Sequence, residues 1–388
     1  MVPNKIFLAI IFQEIKNWQG GFNYYCSLIS ILKFIKFDKS FKYIIFTSKE
    51  NAFFLKTQLK INKKNIFSSS LFKKISLLKI ISKFLQLIFK RDVLLDYILK
   101  KKQITTVSHF FIKTKKIKVV PWIPDLQHKY LKDFFSSEEI NNRDKIIKNY
   151  LVNCRDIIVS SKDTKSSLEN FFNVKNNNIH VLNFIPHINF NYIFKSPIIP
   201  RKFGIFKNYI YIPNHFWVHK NHEIIVKAAL ELKKKNFFIK LIFSGYEKDY
   251  RNKNYLNNIK KLITSFGVNN YFEYLGQVSR KDLLNLIYHS QIIINPSKFE
   301  GWSTTVEEAK ILNKRLLLSN IPVHNEQINE NSVLFSTNDE QDLATKIVKI
   351  LNQNFPSLDL DQLSENYAAN RKKFAHQYLN IIKEVSLK

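Results

Sequence analysis

The sequence predicts an α/β chain built from two doubly wound domains. Short apolar, β-branched runs alternate with helical-period stretches in both halves of the chain. The alternation pauses once, at Ser196-Pro-Ile-Ile-Pro-Arg-Lys-Phe-Gly204, where two prolines and a glycine read as a linker. The length of 388 residues suits two ordinary domains. The expected division is 1–200, 201–362 and a closing helical segment, 363–388.

In the first half, 6–12 reads as a strand: seven apolar residues are too few to span a membrane, and no small-residue cleavage site follows. Gln19-Gly20-Gly21 reads as the loop after it and 24–35 as a helix. A glycine pair there is either a plain turn or a place where backbone approaches a ligand. Strands follow at 43–47, 118–122, 157–161 and 179–182. Residues 70–103 carry Leu, Ile and Phe at helical spacing with Lys73, Lys74, Lys79, Lys83, Lys90 and Arg91 between them. Such a stretch either lies on an anionic bilayer or packs on a core with a solvated lysine face.

The second half restarts with a strand at 209–212, the loop 213–220 and a helix from Asn221 to about 234. Strands at 238–243 and 272–275 end at Gly245 and Gly276, helices cover 255–266 and 282–289, and a further strand runs over 315–318. Only seven glycines occur in the chain, and five fall in loops that follow strands. A chain so sparing with glycine is expected to keep it where φ is positive or a ligand meets the main chain.

The net charge of +30 fits nucleic acid, an anionic membrane or anionic substrates, and also fits the Lys-, Asn- and Ile-rich usage of an AT-rich genome. The charge is spread along the chain without a nucleic-acid-binding signature, so no specific nucleic-acid partner is expected. Cys26 and Cys154 stand far apart without a CxxC pair, which excludes a disulfide framework and fits a reducing compartment. Asp359-Leu-Asp361 reads as a helix cap rather than a metal site, and neither a metal nor a cofactor is expected.

The most informative segment is Asn295-Pro-Ser-Lys-Phe-Glu-Gly-Trp-Ser-Thr-Thr-Val-Glu-Glu-Ala309. The apolar run 291–295 before it reads as a buried strand stopped by Pro296. Thr304 and Glu307 have capping-box spacing for the helix after it. Glu300 then lies in the loop and Glu308 on the second helical turn. Unpaired N–H groups at 304–306 would favour an anion such as phosphate.

This arrangement resembles the E-x7-E motif of the family 4 glycosyltransferases, which have the GT-B fold of two Rossmann-like domains facing a cleft. The resemblance implies an acceptor-side domain at 1–200 and a nucleotide-sugar domain at 201–362. It implies that Glu300 lies by the transferred sugar and that Glu308 binds the ribose, with Gly301, Trp302, Ser303 and Thr304 lining the donor site. Lys220, in Asn214-His-Phe-Trp-Val-His-Lys220-Asn-His222, takes the lysine position of the family's R-x5-K-G pattern and would meet the diphosphate. Asn214 stands where that pattern has arginine and Asn221 where it has glycine; His219 and His222 are the neighbours that would supplement Lys220. Gly276 resembles the loop that meets the base, and Gly20 and Gly21 the glycine loop of the first domain. Asp125 and His128, in Pro124-Asp-Leu-Gln-His128, take the place where family members contact sugar or acceptor; a packed histidine is the other reading.

The expected activity is retaining transfer from a nucleotide-diphosphate sugar to a glycan or lipid-linked acceptor, forming an α bond. The resemblance places it in polysaccharide or lipopolysaccharide assembly at the cytoplasmic membrane face, without a metal. A binding subunit that no longer catalyses, an epimerase of the same fold and a nonspecific nucleic-acid binder are the competing readings.

Overall fold

The computed structural model describes residues 5–13, 19–37, 40–114, 116–174, 176–249, 251–356 and 358–387. The chain packs into two compact units. The first comprises 1–132, 136–187 and 369–388, and the second 133–135 and 188–368. The stretch read as a linker, 196–204, holds a short helix, Ile198–Lys202, inside the second unit, and the chain passes from one unit to the other at His187–Ile188.

In the first unit, β1 (Ile6–Phe12) is central. It pairs in parallel with β2 (Phe41–Thr47) on one side and β4 (Thr106–Ser108) on the other. Six of its seven residues are buried, as expected of a strand covered on both faces. β3 (Ile66–Ser68) and β5 (Lys118–Val120) complete the sheet in the order β3-β2-β1-β4-β5. The expected strand 118–122 is divided by Pro121. That residue has no N–H to give a ladder, but its carbonyl accepts from Ile158 N at 2.9 Å. Beyond it, β6 (Trp122–Ile123), β7 (Asp156–Val159) and β8 (Asn178–Val181) form a three-stranded parallel sheet.

The first helix begins at Gln19, so Gly20 and Gly21 lie in its opening turn rather than in a loop before it. The end of the expected helix, 32–35, lies instead in a 3-10 helix, Leu32–Phe37. The final helix, Leu360–Leu387, starts at a cap where Asp359 Oδ1 accepts from Asp361 N at 3.0 Å and Gln362 N at 2.8 Å. Its later part is bonded within the first unit, Arg371 Nη2 to Ser30 Oγ at 2.6 Å and Thr106 Oγ1 to Ser386 Oγ at 2.6 Å.

The second unit is one six-stranded parallel sheet. In chain order its strands are β9 (Tyr209–Ile212), β10 (Lys240–Phe243), β11 (Phe272–Tyr274), β12 (Ile292–Asn295), β13 (Arg315–Ser319) and β14 (Ser332–Phe335). Their spatial order is β11-β10-β9-β12-β13-β14. The order reverses between β9 and β12, and doubly wound sheets bind ligands at the carboxyl ends of strands at such a switch. β12 is wholly buried, and Ile292 and Ile294 share a core with the helix His222–Lys234.

Candidate functional site

The two strands that flank the switch point end in the two loops that the motifs mark. β9 runs into Pro213 and a single 3-10 turn, Val218–Lys220. β12 runs into Pro296 and the loop that carries Glu300. Because β9 and β12 are hydrogen-bonded neighbours, these loops must lie side by side. They are also laced together. Lys298 N donates to His219 O at 2.8 Å, and Asn221 Nδ2 donates to Pro296 O at 3.2 Å and Thr337 O at 3.1 Å.

Asn221 accounts for one departure from the expected pattern. It sits at φ 56 and ψ 42, a left-handed conformation that suits glycine and that asparagine tolerates. The backbone requirement of the missing glycine is met, and the side chain adds two loop-to-loop bonds. Asn214 does not replace an arginine in the same way. It is buried, with Nδ2 3.4 Å from Asn295 Oδ1, and carries no charge.

The expected help from histidine is corrected. Burial drives His219 and His222 down to about 3, with the Lys220 charge adding to the effect, so both rings are neutral at physiological pH. His222 is fully buried and stacks on Phe216 at 4.3 Å, as a core residue. Lys220 is therefore the cation of its own turn.

Lys220 Nζ lies 2.5 Å from Glu300 Oε1, and Ser297 Oγ donates to the same oxygen at 2.6 Å. Burial pushes the Glu300 carboxyl up, but the Lys220 charge, its hydrogen bond and Ser297 outweigh that and hold it at about 2. Behind Ser297, its carbonyl accepts from Ser319 Oγ at 2.5 Å, and Ser319 also bonds the buried His324. The loop thus presents an ionised carboxylate and an ammonium together, with side chains 10% and 14% exposed.

The helix after this loop runs Thr304–Ile311, and its cap is Ser303, one residue earlier than the expected capping box. Ser303 Oγ accepts from Asn295 Nδ2 at 2.7 Å and from Val306 N at 3.4 Å. Gln327 clamps the Ser303 backbone, accepting from its N–H at 3.1 Å and donating to its carbonyl at 3.0 Å. Gln327 also donates to Glu307 at 2.9 Å, which takes Glu307 away from the cap. With Val306 N engaged, the N–H groups of Thr304 and Thr305 are the ones left at this end among the described residues.

Glu308 is buried one turn further along and pairs with Arg280, the first residue of the helix Arg280–His289. Burial raises the Glu308 carboxyl, and Arg280 only partly counters it. Gly301, Trp302 and Thr304 are half-buried beside this group. Gly276, at φ +65, accepts from Gly245 N at 3.0 Å, and Phe216 N donates to Tyr246 O at 2.9 Å. The loops after β9, β10 and β11 are joined in this way. A Cβ on Gly245 would stand 2.4 Å from Asn214 O, a contact with backbone that no rotamer relieves. Gly245→Ala is accordingly expected to lower stability by about 2 kcal/mol, read as a drop in Tm. An unchanged Tm would mean that these loops separate freely.

In the first unit, His128 is buried, with Nε2 2.9 Å from Asp144 Oδ1, and Lys129 Nζ bonds the same carboxylate at 2.5 Å. Asp125 Oδ1 accepts from Gln127 N at 3.0 Å, a local turn. These are the contacts of a packed histidine and a turn aspartate, with His128 Nδ1 buried and without a hydrogen-bond partner among the described residues and Asp125 half-buried. The residues 14–18 before Gly20 and Gly21 lie outside the described residues. Among the described residues, no three His, Cys, Asp or Glu side chains cluster as metal ligands.

Residues 197–374 match the family described as glycosyl transferases group 1. The O-antigen chain mannosyltransferase RfbU of Salmonella typhimurium is 23% identical over 206 residues, 53% of this chain. The match spans about half of that relative's own length, 53%. Among solved structures, a glycosyltransferase from Rickettsia africae aligns over 98% of this chain and 99% of its own, with TM-score 0.67 and 19% identity. HepE from Anabaena, solved with UDP and glucose, aligns over 97% of both chains, with TM-score 0.62 and 14% identity. The fold is GT-B, with parallel-sheet, Rossmann-like domains.

Proposed function

We propose that this chain, GT-B in fold and matched to the glycosyl transferases group 1 over residues 197–374, is a retaining glycosyltransferase using a nucleotide-diphosphate sugar. The observation that carries the reading is the Lys220–Glu300–Ser297 group at the switch point of the second sheet. Doubly wound sheets bind nucleotides there, and an ammonium beside a helix start suits a diphosphate. Similarity to RfbU and HepE supports a sugar-nucleotide donor and a glycan or lipid-linked acceptor of surface polysaccharide or lipopolysaccharide.

In this reading Lys220 and the N–H groups of Thr304 and Thr305 hold the diphosphate and offset the charge that develops as it leaves. Glu300, ionised at neutral pH, balances positive charge at the anomeric carbon; with an α-configured donor the acceptor hydroxyl bonds that carbon on the face the diphosphate leaves and gives its proton to the departing phosphate oxygen, so an α bond results. Glu308 takes the ribose hydroxyls, and Arg280 holds its carboxylate in place. No metal enters this account, because the lysine and the helix start neutralise the leaving group. His128 and Asp125 are given no step in this account; His128 Nε2 is engaged with Asp144 and Asp125 Oδ1 with Gln127 N.

The test is thermal shift against UDP, GDP, ADP and their sugars, followed by turnover with the donor that binds. One nucleotide should stabilise the protein. Glu308→Gln should abolish that stabilisation while leaving the unliganded Tm no lower, because burial already disfavours the charged form and Arg280 is part-exposed to water. If Glu308→Gln binds nucleotide as the parent does, Glu308 does not touch the ribose. Binding without turnover in any acceptor mixture would favour a subunit that binds only.

A further inference from the structure

The helix Leu77–Phe89 of the first unit turns its apolar side outward. Ser82 is its one buried residue, while Leu77, Ile80, Ile81, Phe84, Leu87 and Ile88 are 43–79% exposed. At 100° per residue these six fill one arc of about 120°. Core packing, the other reading of this stretch, would bury that arc instead. The helix is not loosely held. Ser76 caps it at Lys79 N, 3.1 Å away, and Leu78 packs on the core below. Tyr97, on the next helix, adds to the exposed apolar surface.

Charge decides what covers this face. Residues 70–103 hold nine Lys and Arg against two Asp. Both acids are engaged: Asp96 is buried and bonded to Lys100 at 2.5 Å and Thr114 at 2.7 Å, and Asp92 is half-buried beside Gln86. The outward face therefore offers apolar side chains and cations. A second copy of a +30 chain would bring like charge to it. An anionic bilayer brings acyl chains and phosphates, the complement of both. Thirteen residues of helix reach about 20 Å, too short to cross about 30 Å of hydrocarbon, so the helix would lie in the interface plane.

We propose that Leu77–Phe89 docks this protein on the surface of an anionic lipid bilayer. Its apolar arc enters the headgroup boundary, and Lys79, Lys83, Lys90 and Arg91 reach the lipid phosphates by snorkelling. The argument uses the first unit alone and stands apart from the transferase reading.

The test is flotation of the full chain with phosphatidylcholine vesicles, with and without about 30% phosphatidylglycerol. Binding is expected with the anionic vesicles, and at least tenfold less without the anionic lipid. Phe84→Glu and Leu87→Glu, both on exposed positions, should keep the parent's Tm and circular dichroism yet lose binding by tenfold or more. Lys79→Gln and Lys83→Gln should each weaken it by about fivefold, and less at high salt. Phe84→Trp should shift its emission to the blue on the anionic vesicles. Three results would overturn the proposal: no anionic binding, full binding by the Glu variants, or a wild-type dimer that Phe84→Glu converts to a monomer.

Discussion

Glu300→Gln is expected to lower kcat by about 10²–10³-fold while leaving donor affinity nearly unchanged. The amide keeps the shape of the carboxylate and can still accept from Ser297. It cannot carry the charge that the proposed transition state needs. The side chain is held at about 2 in the parent, so it is fully ionised through the neutral range. The substitution also releases Lys220, which is free to favour the diphosphate, so Kd for the nucleotide should hold or tighten. Single-turnover and equilibrium-binding measurements separate the two effects. Normal turnover in Glu300→Gln would remove this residue from the reaction.

Lys220→Met is expected to damage stability and function together. It strands a carboxylate whose side chain is 10% exposed. Breaking such a pair by removing one member costs about 3–5 kcal/mol. Its pH dependence identifies the cause. In the parent, Glu300 has a depressed folded pKa, so its stabilisation is complete above the ordinary value of 4.5 and is lost as pH falls toward about 2. Without Lys220, burial is the main influence and raises the folded pKa. The sign then reverses: the variant is best matched to the parent in acid and loses ground as pH rises through about 4.5. Denaturant melts from pH 3.5 to 7 should show the two curves diverging. The double variant Lys220→Met/Glu300→Gln should recover most of the lost stability and none of the turnover. If the double variant is no more stable than Lys220→Met, the pair is not what the lysine supports.

The second unit was the more legible in sequence where its central strands are apolar runs, while β14, Ser332–Phe335, at the sheet edge was not read. Ile292–Ile294 and Tyr209–Ile212 lie between flanking layers and need no polar residue, so period and burial coincide. β4, Thr-Val-Ser, was hidden, since its polar ends are buried by contacts from distant segments, such as Thr106 with Ser386. The helix Ser137–Asn153 was hidden for the opposite reason. It buries only Ile147, and Ser136 and Glu139 announce it by a capping box rather than by an apolar stripe. At the site, Lys220, Glu300 and Glu308 were marked by the resemblance of their segments to family motifs, which spacing alone would not have carried. Arg280 and Gln327 were not, because their partners lie 28 and 24 positions away and are brought within reach only by the fold; Ser297, three residues from Glu300, was missed because a serine in a loop carries no signal of its own. Ser303 as the cap rather than Thr304 is a shift of one residue, settled by Asn295 and Gln327 from other elements.

Among the described residues, seven that are not glycine hold positive φ: Lys60, Lys90, Gln103, His109, Asn221, Asn236 and Asn313. A side chain in that region costs about 1–2 kcal/mol, less for asparagine. These seven turns are therefore held in place by their surroundings at a cost in backbone energy. Asn221 shows why such a position resists relief. Glycine there would relax the turn and at the same time cut the bond to Pro296 O that helps hold the lysine loop against the glutamate loop, and a second to Thr337 O in the loop after β14. Ease of the backbone and alignment of the site pull in opposite directions at that one residue.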